Sequence, residues 1–275
     1  MRIYMFPGQG SQAKGMGKSV FGRFPEQCDS ASKLLGYDIV DLCLNDSNNQ
    51  LNQTYYTQPA LYFVSALTFI SEDDKPDCLL GHSLGLYAAL MAAGVFSLEE
   101  GLEIVLKRAK LMSEANNGSM MAVMGDDLIK FEDELIKLEF YDIDIANYNS
   151  DNQIVLSGSQ ARLIELQPLL ENLSYKAVLL PVSGAFHSRY MRPASVAFLD
   201  YLSKKTFNDF QLQVISSING EVLTTSHLIE ELAYQLILPV RWQPVVSYLK
   251  KKWQSIEFKE IGPGAVLHRL NNQIN

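Results

Sequence analysis

The stretch CLLGHSLGLYAALMAAG, residues 78–94, sets Ser83 between Gly81 and Gly85, after a short apolar run and before an Ala/Leu/Met-rich segment. A strand, then Gly-x-Ser-x-Gly, then a helix is the arrangement that lifts a serine hydroxyl clear on a sharp turn. Side chains at the two glycine positions would run into the neighbouring strand and helix. The free N–H groups at the helix start suit developing negative charge. These residues point to acyl chemistry on Ser83, and a serine hydroxyl needs a base to become a nucleophile. Four histidines are on offer. His82 adjoins Ser83, so the turn aims its ring elsewhere. His227, in TTSHLIEE, reads as a surface position at a helix start. His187, in LPVSGAFHSRYM, follows a strand amid small residues that leave room for an imidazole. His268, in GPGAVLHRL, enters a helix and stays open behind it.

The elements that must hold these groups follow from pattern. RIYMF, residues 2–6, reads as a buried strand ending at Pro7 and the turn GQGSQ. QPALYFVSALTFI, residues 58–70, is apolar all round and predicts a buried helix that starts at Pro59. CLLGHS is a short strand entering a turn, and LYAALMAAGVF is a helix closed by Gly94. SLEEGLEIVLKRAKLMSEA opens on a capping box, Ser97 with Glu100 three residues on. From residue 119 the order becomes strand, helix, two strands, helix, strand (SMMAVMG, DDLIKFEDELIKL, YDIDIANYN, NQIVLSG, SQARLIELQPLLEN, YKAVLLPVS), the order of a ferredoxin-like unit. Short strands such as QLQVISSI and IEFKEIGP alternate with helices again at the C-terminal end. The fold expected is α/β, one larger unit over residues 1–118 and 184–275 interrupted by a smaller α+β unit over 119–183.

Composition narrows the class of function. The chain has 275 residues, 47% hydrophobic and 20% charged, with a formal charge of −8. That balance argues for a globular protein and against general nucleic-acid binding. No apolar run reaches the roughly 18 residues that span a bilayer, and the N-terminus lacks a signal-peptide core. A cytoplasmic protein is expected, with no membrane partner. Cys28, Cys43 and Cys78 lack pairing or metal-ligand spacing and read as reduced, buried thiols. The basic clusters Lys107-Arg108-Lys110 and Lys250-Lys251-Lys252 read, by themselves, as solvated helix faces.

Taken together, FPGQGSQ, TQPAL, GHSLG, KRAKLM, IANYNSDNQIVLSG, GAFHSRYM and GPGAVL occur in one order along nearly the whole chain. The sequence resembles the malonyl-CoA:acyl-carrier-protein transacylases, most of all the free-standing acyltransferases that serve modular polyketide synthases in trans. The resemblance implies an α/β-hydrolase-like core with an inserted ferredoxin-like subdomain. It implies a Ser83–His187 dyad, which settles the choice of histidine, and an imidazole held by a backbone carbonyl assigned to Arg241, after LPV. It implies an oxyanion hole from the backbone N–H groups of Gln9 and Leu84. Arg108 becomes the group that grips the free carboxylate of malonate, and Phe186 the aromatic that crowds out an α-methyl branch. Relatives often carry Glu directly after GHSLG; Leu86 stands there, expected to pack on a neighbour and to bear on the pocket rim or acceptor docking.

The activity implied is malonyl transfer from malonyl-CoA through a seryl ester to a carrier protein's phosphopantetheine thiol, in polyketide or fatty-acid synthesis, without metal or redox cofactor. An acyl hydrolase that clears carrier proteins is the alternative, and Arg108 weighs against it. Because carrier proteins are acidic, a basic docking patch is expected, with Lys250–Lys252, Arg189 and Lys107 as candidates.

Overall fold

The computed structural model describes residues 1–115, 118–126, 128–182 and 184–275. Strand β1 (Arg2–Phe6) leads into the Gly-rich loop, then α1 (Pro25–Leu35), α2 (Ile39–Leu44) and the long α3 (Thr54–Ile70). Strand β2 (Cys78–Gly81) turns into α4 (Gly85–Ala92), followed by α5 (Leu98–Glu114). Then come β3 (Ser119–Met124), α6 (Phe131–Lys137), β4 (Asp144–Ser150), β5 (Gln153–Gly158), α7 (Gln160–Asn172) and β6 (Lys176–Leu179). The chain closes with α8 (Arg192–Leu202), β7 (Gln213–Ile215), α9 (Leu228–Tyr234), α10 (Trp242–Lys252), β8 (Glu257–Glu260) and α11 (Val266–Asn271).

Two sheets result. The first is parallel, in the order β7-β2-β1-β8. Its faces are both covered, which is why β1 is apolar at nearly every position. Tyr4 and Phe6 point into the main core with α3, α4 and α5, while Ile3 and Met5 point the other way, onto Trp242, Val246 and Leu267 of α10 and α11. The second sheet is antiparallel, in the order β4-β5-β3-β6. One of its faces packs under α6 and α7 through Met121, Val123, Ile154, Leu156, Leu163 and Leu166. Its other face, with Met120, Ala146 and Val155, joins the main core.

The two sheets are stitched by backbone as well as by packing. Tyr148 N–H donates to the Val240 carbonyl at 2.9 Å, and Val240 N–H donates to that of Ala146 at 2.9 Å. Arg189 adds a two-pronged pair with Asp144, its Nε 2.9 Å from Oδ1 and its backbone N–H 2.8 Å from Oδ2.

Local expectations meet two differences. The capping box at Ser97 and Glu100 is formed in both directions, and Gly94 closes α4 with φ +77°. However, α3 begins at Thr54, so Pro59 lies inside the helix rather than at its start. Only one intrahelical hydrogen bond, to the Tyr55 carbonyl, is forgone this close to the N-terminus, and twelve of the seventeen residues of α3 are buried. Leu86 is fully buried in the main core and does not line the active-site cavity, so it packs on neighbours without reaching the rim.

Candidate active site

Ser83 sits where β2 ends and α4 begins, with φ +50°, a left-handed conformation that few non-glycine residues adopt. The turn is that tight because its neighbours leave no alternative. A Cβ on Gly81 would lie 2.1 Å from the Leu86 backbone nitrogen, and one on Gly85 would lie 1.9 Å from the Phe6 carbonyl oxygen. Both obstacles are backbone, which cannot rotate away.

His187 is also left-handed, with φ +55°, in the loop before α8. Its Nε2 lies 2.7 Å from Ser83 Oγ. Its Nδ1 faces two carbonyl oxygens, Gln235 at 2.7 Å and Leu238 at 3.2 Å. Carbonyls only accept, so Nδ1 carries the proton and Nε2 is left as the acceptor for the serine hydroxyl. Burial, and next the nearby Arg108, push this imidazole down to about 3, so it is neutral at physiological pH.

These contacts correct one assignment. The Arg241 carbonyl does not meet His187; it caps α10 by accepting from Val245 N–H at 3.1 Å. Arg241 instead lays its guanidinium 5.7 Å from the Tyr148 ring centre. The orienting carbonyls lie on the other side of Pro239, at the end of α9 and in the loop that follows. Their signal in sequence is faint: a single Gln inside the apolar run AYQLILPV.

Arg108 is not on a solvated face. It is 1% exposed, and its helix aims it inward at Ser83. One terminal nitrogen donates to Gln58 Oε1 at 2.8 Å; the other lies 3.2 Å from Gln235 Oε1 and 3.3 Å from Ser83 Oγ. The Tyr87 ring centre is 5.3 Å away. None of these partners is acidic. Burial pulls the guanidinium below its ordinary value, and the neighbouring Tyr87 phenol offsets part of that. Gln58 lies in the TQPAL segment, yet nothing in its sequence context marks it as a partner of Arg108.

These groups meet in one cavity of about 300 Å³ between the two sheets, lined by Gln9, Ser83, Arg108, Phe186 and His187 among others. The antiparallel sheet supplies the facing wall through Met120, Ala122 and Val155. Neither the Gln9 nor the Leu84 backbone N–H donates to another described residue, so both are free at the cavity. Gly8, beside Gln9, runs so close to the β2–α4 turn that a Cβ there would lie 2.6 Å from the His82 carbonyl oxygen. Phe186 is 5% exposed and its ring crosses over Gly184. His82 turns away from Ser83 to Asn149 Oδ1, 3.0 Å from its Nε2, and packs against Trp242. His227 and His268 are exposed and remote from the cavity.

The three basic candidates fare differently. Lys250 is spent on the carbonyls of Asn271 and Ile274, closing the C-terminal end of α11 and the residues after it. Its helix starts beside His82, and ten residues on it has run about 15 Å away. Lys252 accordingly acts on Cys78, at the opposite end of β2 from Ser83. The lysine run therefore faces away from the cavity. Arg189 is paired with Asp144, and Lys107 rests its amine 5.8 Å from the Tyr201 ring centre.

A serine hydroxyl hydrogen-bonded to a neutral, carbonyl-held imidazole, beside a buried cation with no acidic partner among the described residues, is an arrangement suited to acyl transfer of an anionic acyl group. The acyl transferase domain family matches residues 3–273 of the chain. The polyketide biosynthesis malonyl CoA-acyl carrier protein transacylase PksC of Bacillus subtilis is 43% identical, with 100% of this chain and 97% of that protein covered. A malonyl CoA-acyl carrier protein transacylase from Burkholderia pseudomallei superposes with a TM-score of 0.95 at 41% identity, over 99% of this chain and 97% of the other. A malonyl-transacylase solved in complex with its type II polyketide acyl-carrier protein superposes with a TM-score of 0.92 at 30% identity, over 99% and 92%. The chain belongs to the acyl transferase family, among its malonyl-CoA:acyl-carrier-protein transacylases.

Proposed function

We propose that this protein carries malonyl groups from malonyl-CoA to the phosphopantetheine thiol of an acyl carrier protein, in trans, for polyketide synthesis, with an ester on Ser83 as the intermediate. The observation that carries this reading is the buried Arg108, with no acidic partner among the described residues, 3.3 Å from the hydroxyl that is to be acylated. A planar guanidinium suits a carboxylate through two parallel hydrogen bonds, so malonate is gripped at its free end while its thioester carbon meets Ser83.

His187 takes the Ser83 proton at Nε2 as Oγ attacks the thioester carbon. The oxyanion that forms is received by the N–H groups of Gln9 and Leu84. The tetrahedral species collapses, the C–S bond breaks, and the departing CoA sulfur takes the proton from His187. In the second half the carrier thiol gives its proton to the same nitrogen and attacks the ester. The C–O bond breaks, and Ser83 recovers its proton. Arg108 depresses His187; a bound carboxylate offsets that field and makes the imidazole a better base when malonate is present. Both halves are redox-neutral and His187 returns each proton it takes to the leaving group, so the reaction calls for no metal or redox cofactor. Phe186, at the cavity wall, narrows the space beside the α-carbon, which discriminates against a branched acyl group by about 1–3 kcal/mol.

The same reading takes the parallel sheet with its helices as an α/β-hydrolase-like core and residues 119–183 as a ferredoxin-like subdomain. The antiparallel order supports this, since the unit's first strand, β3, lies between its third and fourth, β5 and β6. It also puts the protein in the cytoplasm, with its substrates. Three buried, unpaired cysteines fit a reducing compartment.

The test is intact-protein mass spectrometry after brief exposure to malonyl-CoA, beside Ser83→Ala. A malonyl adduct on the wild type alone, discharged faster by a holo carrier protein than by water, is expected. Discharge at one rate with or without the carrier would make the protein a hydrolase instead.

A further inference from the structure

A buried charge is normally matched by an opposite one, because taking an ion out of water without a partner is costly. Among the described residues, the side chains that accept from Arg108 are two amides and the Ser83 hydroxyl, none of them charged. Gln58, from α3, and Gln235, following α9, each offer Oε1 to it at 2.8 and 3.2 Å, and both glutamines are 1% exposed or less. Glu231, the acid one turn before Gln235, is engaged by the Ser216 hydroxyl. Gln235 is fixed from its other end as well: its Nε2 donates to the Ser83 carbonyl at 3.0 Å, so its Oε1 is the end left for Arg108.

We infer that Gln58 and Gln235 set the enzyme's preference for a carboxylated acyl group by holding Arg108 in place with neutral oxygens, leaving its positive charge unspent until the substrate's carboxylate arrives. A glutamate has nearly the same shape as a glutamine, and at Gln58 would orient the guanidinium equally well; at Gln235 it would also lose the Nε2 donor to the Ser83 carbonyl, a loss it shares with methionine. It would also supply the carboxylate that malonate is meant to supply. The distinction is therefore one of charge at Gln58, and at Gln235 the methionine variant, which loses the same donor, separates charge from that loss. This inference rests on the malonyl-transfer reading and assigns its selectivity to two residues beyond Arg108. Gln58 and Gln235 are positioning residues here, since each acts through the guanidinium.

The experiment is competition. Wild type, Gln58→Glu, Gln58→Met, Gln235→Glu and Gln235→Met are each exposed to an equimolar mixture of malonyl-CoA and acetyl-CoA. Adducts on Ser83 are counted by intact-protein mass spectrometry over the linear phase. The ratio of malonyl to acetyl adduct is expected to fall by about tenfold to a hundredfold in the Glu variants, the range of a charge-assisted hydrogen bond. In the Met variants, which remove the acceptor without adding a charge, the ratio stays well above that of their Glu counterparts even if both rates drop. Thermal unfolding of Gln58→Glu is expected no lower than that of Gln58→Met, since the buried cation gains a partner. Equal ratios in the Glu and Met variants, or a Glu ratio unchanged from wild type, would overturn the inference. A wild type that takes up no malonyl group at all would instead remove the transferase reading beneath it.

Discussion

His187 has its two nitrogens given unlike tasks by backbone alone. The carbonyls of Gln235 and Leu238 fix the proton on Nδ1, and a full carboxylate triad partner is not needed to do so. The cost appears in acid. In the unfolded chain a histidine takes its proton near pH 6.5, whereas native His187 refuses it down to about 3. Between those values the unfolded state binds the extra proton, so stability from this residue rises with pH across the window and is complete above it. At pH 4 the deficit is roughly 3 kcal/mol. Unfolding temperature should fall from pH 7 to pH 4 in the wild type and fall less steeply in His187→Gln. Parallel slopes in thermal denaturation would contradict the assignment. Buried His82 is held low as well, and contributes in the same direction to both proteins.

The turn between β2 and α4 is where an element and its chemistry coincide. Its two glycines were legible because a serine can be lifted into a left-handed turn only where strand and helix backbones come this close. Gly85→Ala would drive a methyl group into the Phe6 carbonyl oxygen, at 1.9 Å before any adjustment. The expected loss is more than about 3 kcal/mol, read as a lower denaturation midpoint, together with loss of Ser83 acylation. A Cβ on Gly10 would meet nothing within 4 Å, so what that position asks of glycine is its φ of +106°. Helix α3 was legible as buried but not in its start, because a proline six residues in removes one hydrogen bond, and packing can outweigh that.

At the scale of the molecule, the cavity exists because the antiparallel sheet is laid over the mouth of the parallel one. The Val240 bridge, the His82–Asn149 hydrogen bond and the Arg189–Asp144 pair hold it there. The Arg189 pair is half-exposed and worth no more than about 1 kcal/mol. The polarity of the parallel sheet also decides which charges can meet a carrier protein. Strand C-terminal ends carry Ser83, and the lysines of α10 lie at the other end. Replacing Lys250, Lys251 and Lys252 by Glu should therefore leave the carrier-protein KM unchanged, although losing Lys250 frees two carbonyls and lowers the unfolding temperature. A raised KM in steady-state transfer would return that run to the docking surface.

Ser83, its flanking glycines and the order of strands and helices were determined by sequence alone. Each rests on local geometry: a left-handed turn, a helix cap, a strand buried on both faces. Motif resemblance settled the choice of His187 over His268 and added Arg108, Gln9, Leu84 and Phe186, and the structure brings all five to one cavity with the serine. It decided what no local pattern encodes. The carbonyls that hold His187 come from before Pro239, because the loop there bends toward the imidazole while the Arg241 carbonyl is taken by its own helix. Arg108, in a segment that reads as an exposed basic face, is buried because α5 packs that side against α3. The partners of its guanidinium are 50 residues before it and 127 after it in the chain, and only the packing of three separate segments around one charge could reveal that both are neutral.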